Sequence, residues 1–295
     1  MSGRDALCVA SIGKALAEVI DRTDDLVVVH AGLWAFGHRV DAPIADLPRL
    51  ILQQLHAVVG TRCTIAMPTY VMDYPRTRTF DVERSRPHTG ALAEAMLKAG
   101  GARTLQPMYS YVVDGPMATD ILALRPSLAW GDDSFMGFAY ARNARFVSLG
   151  LPWRKSFAYY HLAEVRMAVP YRYPKRFPGS LLRAGVAVGP CEEVIAVRPQ
   201  HKVPSWTYDQ IATNLELAGL IRRSGESDLL LTSAKVGDAL DAVCERIADD
   251  PYALVAEQDK DDLRTWVRKQ RAAEIAAMAP EHQFAGAWRA ERIRA

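Results

Sequence analysis

Apolar and polar positions follow two different periods along the first part of this 295-residue chain. Residues 9–20 and 46–59 carry apolar side chains three or four positions apart, which predicts two amphipathic helices. Residues 26–29 and 63–68 are short, continuous apolar runs, which is typical of strands buried on both faces. This alternation of helix and strand predicts an α/β fold.

The same two periods, with their turn signals, divide the rest of the chain. Further helices are predicted at residues 90–98, 117–124, 207–220, 235–248 and 260–278, and further strands at 103–113, 145–150 and 228–231. Another helix should contain His161 and Glu164. Residues 70–88 and 126–138 show neither period and are predicted to form exposed loops.

We predict one α/β domain over residues 1–295, with a central mixed sheet flanked by helices. A candidate smaller lobe with β structure lies at about 171–205, where the pattern changes to aromatic, basic and proline-rich. Within it, 186–188 and 194–197 are predicted to pair as a hairpin around Gly189 and Pro190. The aromatic segment 171–177 is a candidate exposed interface for a homodimer.

Composition narrows the class of function. Hydrophobic residues make up 49% of the chain, and the net charge is +2, so neither nucleic acid nor an acidic membrane is expected as a partner. The four cysteines are far apart and have no metal-ligand spacing, so no metal is expected. The chain begins without a secretory signal pattern and has no apolar run of transmembrane length, which predicts a cytoplasmic protein.

Two short stretches, 104–114 and 160–164, carry candidate chemistry. They contain the phenol of Tyr109, the hydroxyl of Ser110, the imidazole of His161 and the carboxylate of Glu164. His161 and Glu164 are three positions apart, so one helical turn places them on the same face. The alternatives are a buried structural histidine and an exposed glutamate that pairs with Arg166.

The end of the first buried strand is a second candidate site. His30 is followed by Ala31 and Gly32, and small residues at the carboxyl end of a strand allow a ligand to approach the backbone. For His30, a structural role is favoured over ligand binding. Trp34 could stack on a planar group or belong to the core, and the same alternatives hold for Trp153.

Five motifs, in order, resemble the aminoglycoside 3-N-acetyltransferase family over about residues 10–256. The motifs are Val-Val-Val-His at 27–30, Met-Pro-Thr at 67–69, Gly-Ala-Leu-Ala-Glu at 90–94, Pro-Met-Tyr-Ser at 107–110 and His-Leu-Ala-Glu at 161–164. The resemblance implies the antibiotic acetyltransferase fold, which is distinct from GNAT acetyltransferases, with a site in a cleft between a larger and a smaller portion. It also implies transfer of an acyl group from acyl-CoA to an amine.

The chain departs from this family pattern at two motifs. Where the family strand reads His-Pro-Thr-His-Ser and its second histidine is the base, this chain has Tyr109, and an unperturbed phenol with a pKa near ~10 is a poor base at pH 7. Tyr109 is therefore expected to donate a hydrogen bond or to shape the substrate site. Given the resemblance, Glu164 is a candidate to accept the proton or to hold a cationic substrate. His161 is a candidate to replace the missing base.

The residue patterns and the resemblance together give the candidate roles. Catalytic candidates are Glu164, Tyr109 and His161; acceptor-binding candidates are Asp73, Ser110, Tyr70 and Trp153; donor-binding candidates are His30, Ala31, Gly32, Leu33, Trp34 and Thr69. The family's donor loop reads Val-His-Ser-Ser-Leu-Arg, and its serines and arginine are replaced here. The arginines of 70–88 make that loop basic, which suits a phosphate or carboxylate better than a polycation.

We therefore expect a transferase that acts on an amine of a small molecule with acyl-CoA as donor. A tailoring step in antibiotic biosynthesis is favoured over antibiotic resistance because both the base and the donor loop differ from the family pattern. Two alternatives stay open. The fold could use S-adenosylmethionine, stacked on Trp34 in the space left by Ala31 and Gly32, or it could be a catalytically silent binding protein.

Overall fold

The computed structural model describes residues 8–36, 40–198, 204–226 and 229–269 and contains the predicted alternation of helices and strands. The helices are α1 (Val9–Val19), α2 (Leu47–Val59), α3 (Tyr74–Thr77), α4 (Ala91–Lys98), α5 (Ala118–Ala123), α6 (Phe135–Ala141), α7 (Trp153–Ser156), α8 (Tyr160–Arg166), α9 (Tyr208–Leu217), α10 (Val236–Asp249) and α11 (Glu257–Lys269), with a 3-10 turn at Leu33–Ala35. The strands are β1 (Leu26–Ala31), β2 (Thr64–Pro68), β3 (Thr79–Asp81), β4 (Ala102–Arg103), β5 (Tyr111–Asp114), β6 (Arg145–Leu149), β7 (Tyr173–Arg183), β8 (Val186–Val197), β9 (Arg222–Arg223) and β10 (Thr232–Lys235).

A seven-stranded mixed sheet lies at the centre, with the strand order β4-β5-β2-β1-β6-β10-β9. Its middle strands β2, β1 and β6 are parallel, and Val28 pairs with both Ala66 and Phe146. The strands on both margins are antiparallel. Since the neighbours of β1 lie on opposite sides and come from different parts of the chain, its carboxyl end is a switch point, where α/β folds place ligand sites.

Alternate residues of β1 face two separate cores. Val27 and Val29 pack in one cluster with the buried faces of α1, α2 and α4. Leu26 and Val28 pack in the other, which contains the buried residues of α6, α8 and α10. The continuous apolar run is therefore explained by helices on both faces of the sheet.

A second, three-stranded sheet holds the hairpin of β7 and β8, with β3 added in parallel through Thr79 and Ser180. The hairpin turns at Ala184 and Gly185, whose φ angles are 49° and 90°. Our placement of the turn at Gly189 and Pro190 was therefore wrong. Two successive positive φ angles suit a two-residue hairpin turn, whereas Gly189 lies inside β8 near a register shift. The division of the chain into lobes stays a prediction.

Three further sequence predictions need correction. The predicted strand 103–113 is a hairpin of β4 and β5, since Pro107 has no N–H for a strand ladder. The predicted loop 126–138 is largely buried and leads into α6, which Ser134 caps by accepting a hydrogen bond from the Gly137 N–H. The predicted loop 70–88 contains α3 and β3.

The last elements also differ from their predicted bounds. The strand expected at 228–231 is β10, displaced to Thr232–Lys235, and Asp228 lies outside the described residues. The helix expected at 260–278 begins at Glu257 and is described as far as Lys269; its predicted remainder lies outside the described residues.

The segment 171–177 is not an exposed aromatic surface. Tyr171 and Phe177 are buried, and the Tyr171 ring lies 6.2 Å from Trp206 and 5.6 Å from Tyr252. The basis on which we expected a homodimer is therefore wrong, and the homodimer itself stays a prediction. In the part of the chain that the structure describes, no helix has the length and apolar character needed to cross a membrane.

Candidate active site

A row of aromatic rings joins the end of β1 to helix α8. His30 and Tyr70 lie edge to face with 6.4 Å between centroids, and Tyr70 and Tyr109 follow at 5.0 Å. Tyr109 lies 5.0 Å from Trp130, whose indole stacks on His161 at 4.3 Å. The fold thus brings four of the predicted site residues into one row, with Trp130 between two of them.

His161 ends this row in a polar cluster with Glu164 and Arg172. His161 Nδ1 lies 3.1 Å from Glu164 Oε2, and Arg172 Nη2 lies 2.5 Å from the same oxygen and 2.9 Å from His161 Nδ1. Helix α8 supplies the first two residues from one face, as their spacing predicts. Arg172 is fixed from β8, because its Nη1 donates to the carbonyl of Ala196 at 2.8 Å.

Electrostatics sets the ionisation of this cluster. Glu164 is fully buried, which alone would raise its pKa, but the charge of Arg172 and the hydrogen bonds lower it. Burial and the charge of Arg172 lower the pKa of His161 below its ordinary value of 6.5, against the opposing effect of Glu164. At pH 7 the pair is therefore a carboxylate beside a neutral imidazole, whose side chain is 29% exposed.

This pair can act as a base. Nδ1 of His161 faces both an acceptor, Glu164 Oε2, and a donor, Arg172 Nη2. In the tautomer in which Nδ1 donates its proton to Glu164, the lone pair lies on Nε2, where it can accept a proton from a ligand. The carboxylate then stabilises the imidazolium that forms. Such a pair of imidazole and carboxylate is the arrangement that general-base catalysis requires.

Tyr109 cannot act as a base at neutral pH. Burial raises the pKa of its phenol, and the nearby Glu193 raises it further. The backbone N–H groups of Met108 and Tyr109 both donate to Glu193 Oε2, the second at 3.3 Å. Burial raises the pKa of Glu193 to about 8 despite these two bonds. Tyr109 remains a neutral phenol, which can donate one hydrogen bond.

Sequence reasoning missed Trp130, Arg172 and Glu193. Glu193 had a usable signal: it alternates along β8 with Ile195, and both are buried. Trp130 lies in a stretch without periodicity. Arg172 lies in a basic, proline-rich segment whose composition predicts solvent exposure. No local pattern in the sequence indicates that these two meet the residues of α8.

Ser110 and Thr69 belong to a buried scaffold around Arg103. The Nε of Arg103 donates to both hydroxyl oxygens at 3.1 Å, and its Nη1 donates to the carbonyl of Ser85 at 2.6 Å. Burial lowers the pKa of Arg103 to about 10. Since these groups satisfy one another, Ser110 and Thr69 hold the turn that carries Tyr109.

The predicted donor loop divides into a buried and an exposed part. His30 is buried, which lowers its pKa to about 4, and its Nε2 has no hydrogen-bond partner within the described ranges. Gly32 leaves no vacancy, because a Cβ there would lie 2.4 Å from a methyl group of Leu151. Ala31 and Leu33 are half-buried, while the Trp34 side chain is 73% exposed and open to a flat ligand.

The two other acceptor-binding candidates lie in different surroundings. Trp153 is buried and stacks on Phe157 at 4.7 Å. Asp73 lies at the surface, where its carboxylate is 3.7 Å from Arg76. No group of three His, Cys, Asp or Glu side chains that could hold a metal was found within the described ranges.

Among known protein families, a family model described as aminoglycoside 3-N-acetyltransferase matches residues 28–239. No curated protein sequence matches the chain.

Solved structures that resemble the chain carry the same family name. The apoenzyme of aminoglycoside acetyltransferase AAC(3)-IVa superposes with a TM-score of 0.69 at 17% identity, over 90% of this chain and 99% of that one. AAC-IIIb with CoASH gives 0.68 at 20%, over 83% and 97%. AAC-VIa bound to sisomicin gives 0.67 at 19%, over 81% and 97%. These TM-scores establish a shared fold and confirm the predicted fold class.

Proposed function

Because the chain belongs to the aminoglycoside 3-N-acetyltransferase family, a family of transferases, we propose that it transfers an acetyl group from acetyl-CoA to an amine. The acceptor is a small molecule, as in the structural neighbour that binds sisomicin. The observation that carries the proposal is the contact of 3.1 Å between His161 Nδ1 and Glu164 Oε2. It supplies the base that N-acylation needs, since a protonated amine is no nucleophile.

In the proposed reaction, His161 accepts a proton from the amine through Nε2 while the amine nitrogen attacks the thioester carbonyl. The new N–C bond replaces the C–S bond, the CoA thiolate leaves, and it receives the proton from His161. Glu164 stabilises the imidazolium between these two transfers, and Arg172 keeps Glu164 ionised. Tyr109, a neutral phenol in the same row, donates a hydrogen bond or shapes the acceptor site.

For the donor, the supporting features are a CoA-bound neighbour and the exposed indole of Trp34 at the carboxyl end of β1. An adenine ring or the pantetheine arm can pack on such an indole. The comparisons give S-adenosylmethionine no support. We further propose a biosynthetic tailoring step, on the ground that the donor loop departs from the family's polar pattern.

A thermal-shift panel of acetyl-CoA, free CoA and S-adenosylmethionine tests the donor. A ligand at about 100 times its Kd stabilises the folded state by about 2.7 kcal/mol, so acetyl-CoA should raise Tm by roughly 5 °C or more. A rise in Tm with S-adenosylmethionine alone would mean that the protein uses this donor and not an acyl-CoA. If no ligand changes Tm and no CoA is released in the presence of amines, the result would favour the catalytically silent binding protein.

A further inference from the structure

A positive charge beside the His161 cluster has no described counter-charge. Arg198 directly follows β8, and its Cζ lies 5.5 Å from the ring centroid of Trp206. Its Nη1 is buried, and among the described residues it has no hydrogen-bond partner. Because an unpaired buried N–H donor is costly, an acceptor atom of a ligand would be stabilised at this nitrogen.

The neighbouring charges do not cancel Arg198. Glu164 is already paired with Arg172, and His161 is neutral at pH 7. Glu193, with a pKa of about 8, is mostly protonated at pH 7 and carries little charge. The cluster is therefore left with one uncompensated positive charge, which belongs to Arg198.

The charge of Arg198 influences the same side chains that carry out the proposed reaction. Its charge contributes to the lowered pKa of His161 and opposes the rise in the pKa of Tyr109. Next to it, the rings of Trp206 and Tyr208 stack with 5.4 Å between centroids and an angle of 6°. Both rings are half-buried and offer a flat apolar wall beside the guanidinium.

On the basis of the proposed acetyl transfer, we propose that the acceptor is an amine that also carries an oxyanion group, a carboxylate or a phosphate, bound by Arg198. The amine of such a molecule lies at His161, and its ring or chain packs on Trp206. The uncompensated guanidinium of Arg198 repels ammonium groups. It therefore disfavours a polycation and favours the unprotonated, nucleophilic form of the reacting amine.

A matched set of amines separates charge from shape. The probes are 4-(aminomethyl)benzoate, its neutral isostere 4-(aminomethyl)benzamide, 4-(aminomethyl)phenylphosphonate and the polycation sisomicin, each assayed with acetyl-CoA for CoA release. We expect kcat/KM for the benzoate or the phosphonate to exceed that for the benzamide by about 10- to 100-fold, mainly through KM. The two anions distinguish a carboxylate from a phosphate acceptor.

Three variants test the role of Arg198 itself. In Arg198→Gln the ratio of kcat/KM between benzoate and benzamide should fall towards one, and Arg198→Lys should retain part of it. Arg125→Gln, at an exposed arginine after α5, is the matched control and should keep the full ratio. A purely structural role would lower activity with both amines alike and leave the ratio unchanged, which would overturn the proposal.

The outcomes separate this inference from the proposed function. If sisomicin or the benzamide is the preferred acceptor, acetyl transfer stands and the anionic acceptor is wrong. If acetyl-CoA neither binds nor reacts, the proposed function fails. Binding calorimetry of benzoate against benzamide then still tests Arg198, and equal affinities would overturn its assignment.

Discussion

His161 is assigned as the base and Tyr109 as a neutral hydrogen-bond donor, and substitution of each should separate the two roles. We expect His161→Gln to lower kcat by roughly 10²- to 10⁴-fold, which is the usual effect of losing a general base. Tyr109→Phe should lower kcat by less than about tenfold, because a neutral phenol offers one hydrogen bond. The measurement is CoA release from acetyl-CoA with the best amine. Equal losses in the two variants would contradict the assignment.

The control for this comparison is donor binding. Neither side chain belongs to the proposed donor site, so both variants should keep the rise in Tm that acetyl-CoA causes. Loss of that rise in His161→Gln would mean that the histidine supports the fold or the donor site, and the kinetic result could then not be assigned to proton transfer.

The ionisation of His161 is a second test at this level. Burial and the charges of Arg172 and Arg198 lower its pKa below 6.5, with Glu164 opposing. An NMR titration, assigned with His161→Gln, should therefore show a midpoint below 6.5. In Arg198→Gln one of the two cations is lost, so the midpoint should rise. An unchanged midpoint would show that Arg198 lies too far from the imidazole to bind the same acceptor.

Among the elements, strand β8 makes a pH-dependent contact with the turn before β5. Glu193 accepts hydrogen bonds from the backbone of Met108 and Tyr109, and its pKa is raised to about 8 by burial. The folded state therefore binds a proton that the unfolded state, with an ordinary pKa of 4.5, has released. This contribution to stability is complete below pH 4.5 and is lost as pH rises through about 8.

Glu193→Gln should remove this dependence, since an amide cannot ionise and its oxygen can accept the same N–H bonds. We expect the variant to gain about 1–3 kcal/mol relative to the wild type between pH 6 and 9. Urea unfolding at several pH values measures the difference. Glu192→Gln, whose carboxylate pairs with Arg176 at the surface, is the matched control and should show no such gain. Parallel curves for wild type and Glu193→Gln would refute the raised pKa.

Some elements of the fold could be predicted from the sequence, and others could not. Helices α1 and α2 were predictable because burial on one face imposes a helical period, and strand β1 was predictable because burial on both faces produces a continuous apolar run. The hairpin turn was misplaced because Gly189 and Pro190 are strong turn signals, while the pairing of β7 with β8 decides the register. The stack of Trp130 on His161 joins residues far apart in sequence, and no local pattern reports such a contact.

For the whole molecule, a buried ion cluster ties three strands of the central sheet together. Arg145, at the start of β6 and 2% exposed, donates through Nε to Asp24 Oδ2 at 2.9 Å and through Nη2 to Asp21. Lys235, at the end of β10, lies 2.6 Å from the other oxygen of Asp24, just before β1. The cluster thus joins the parallel centre of the sheet to its antiparallel margin. Asp21 also pairs with Arg222 at 2.8 Å, but that arginine is 50% exposed.

These two arginines form a matched pair for a stability test. Arg145→Met should cost about 3–5 kcal/mol, because it leaves Asp24 buried with Lys235 as its charged partner and the Asp21 N–H as its other donor. Arg222→Met should cost less than about 1 kcal/mol, since water screens an exposed pair.

Burial would raise the pKa of Asp24, but the bonds from Arg145 and Lys235 lower it below 3.8. The stabilisation is therefore present above pH 3.8 and is lost as pH falls through the folded pKa. Urea unfolding at pH 7 and pH 3 should show the difference between the variants shrinking in acid, and equal costs at pH 7 would mean that the cluster does not hold the sheet together.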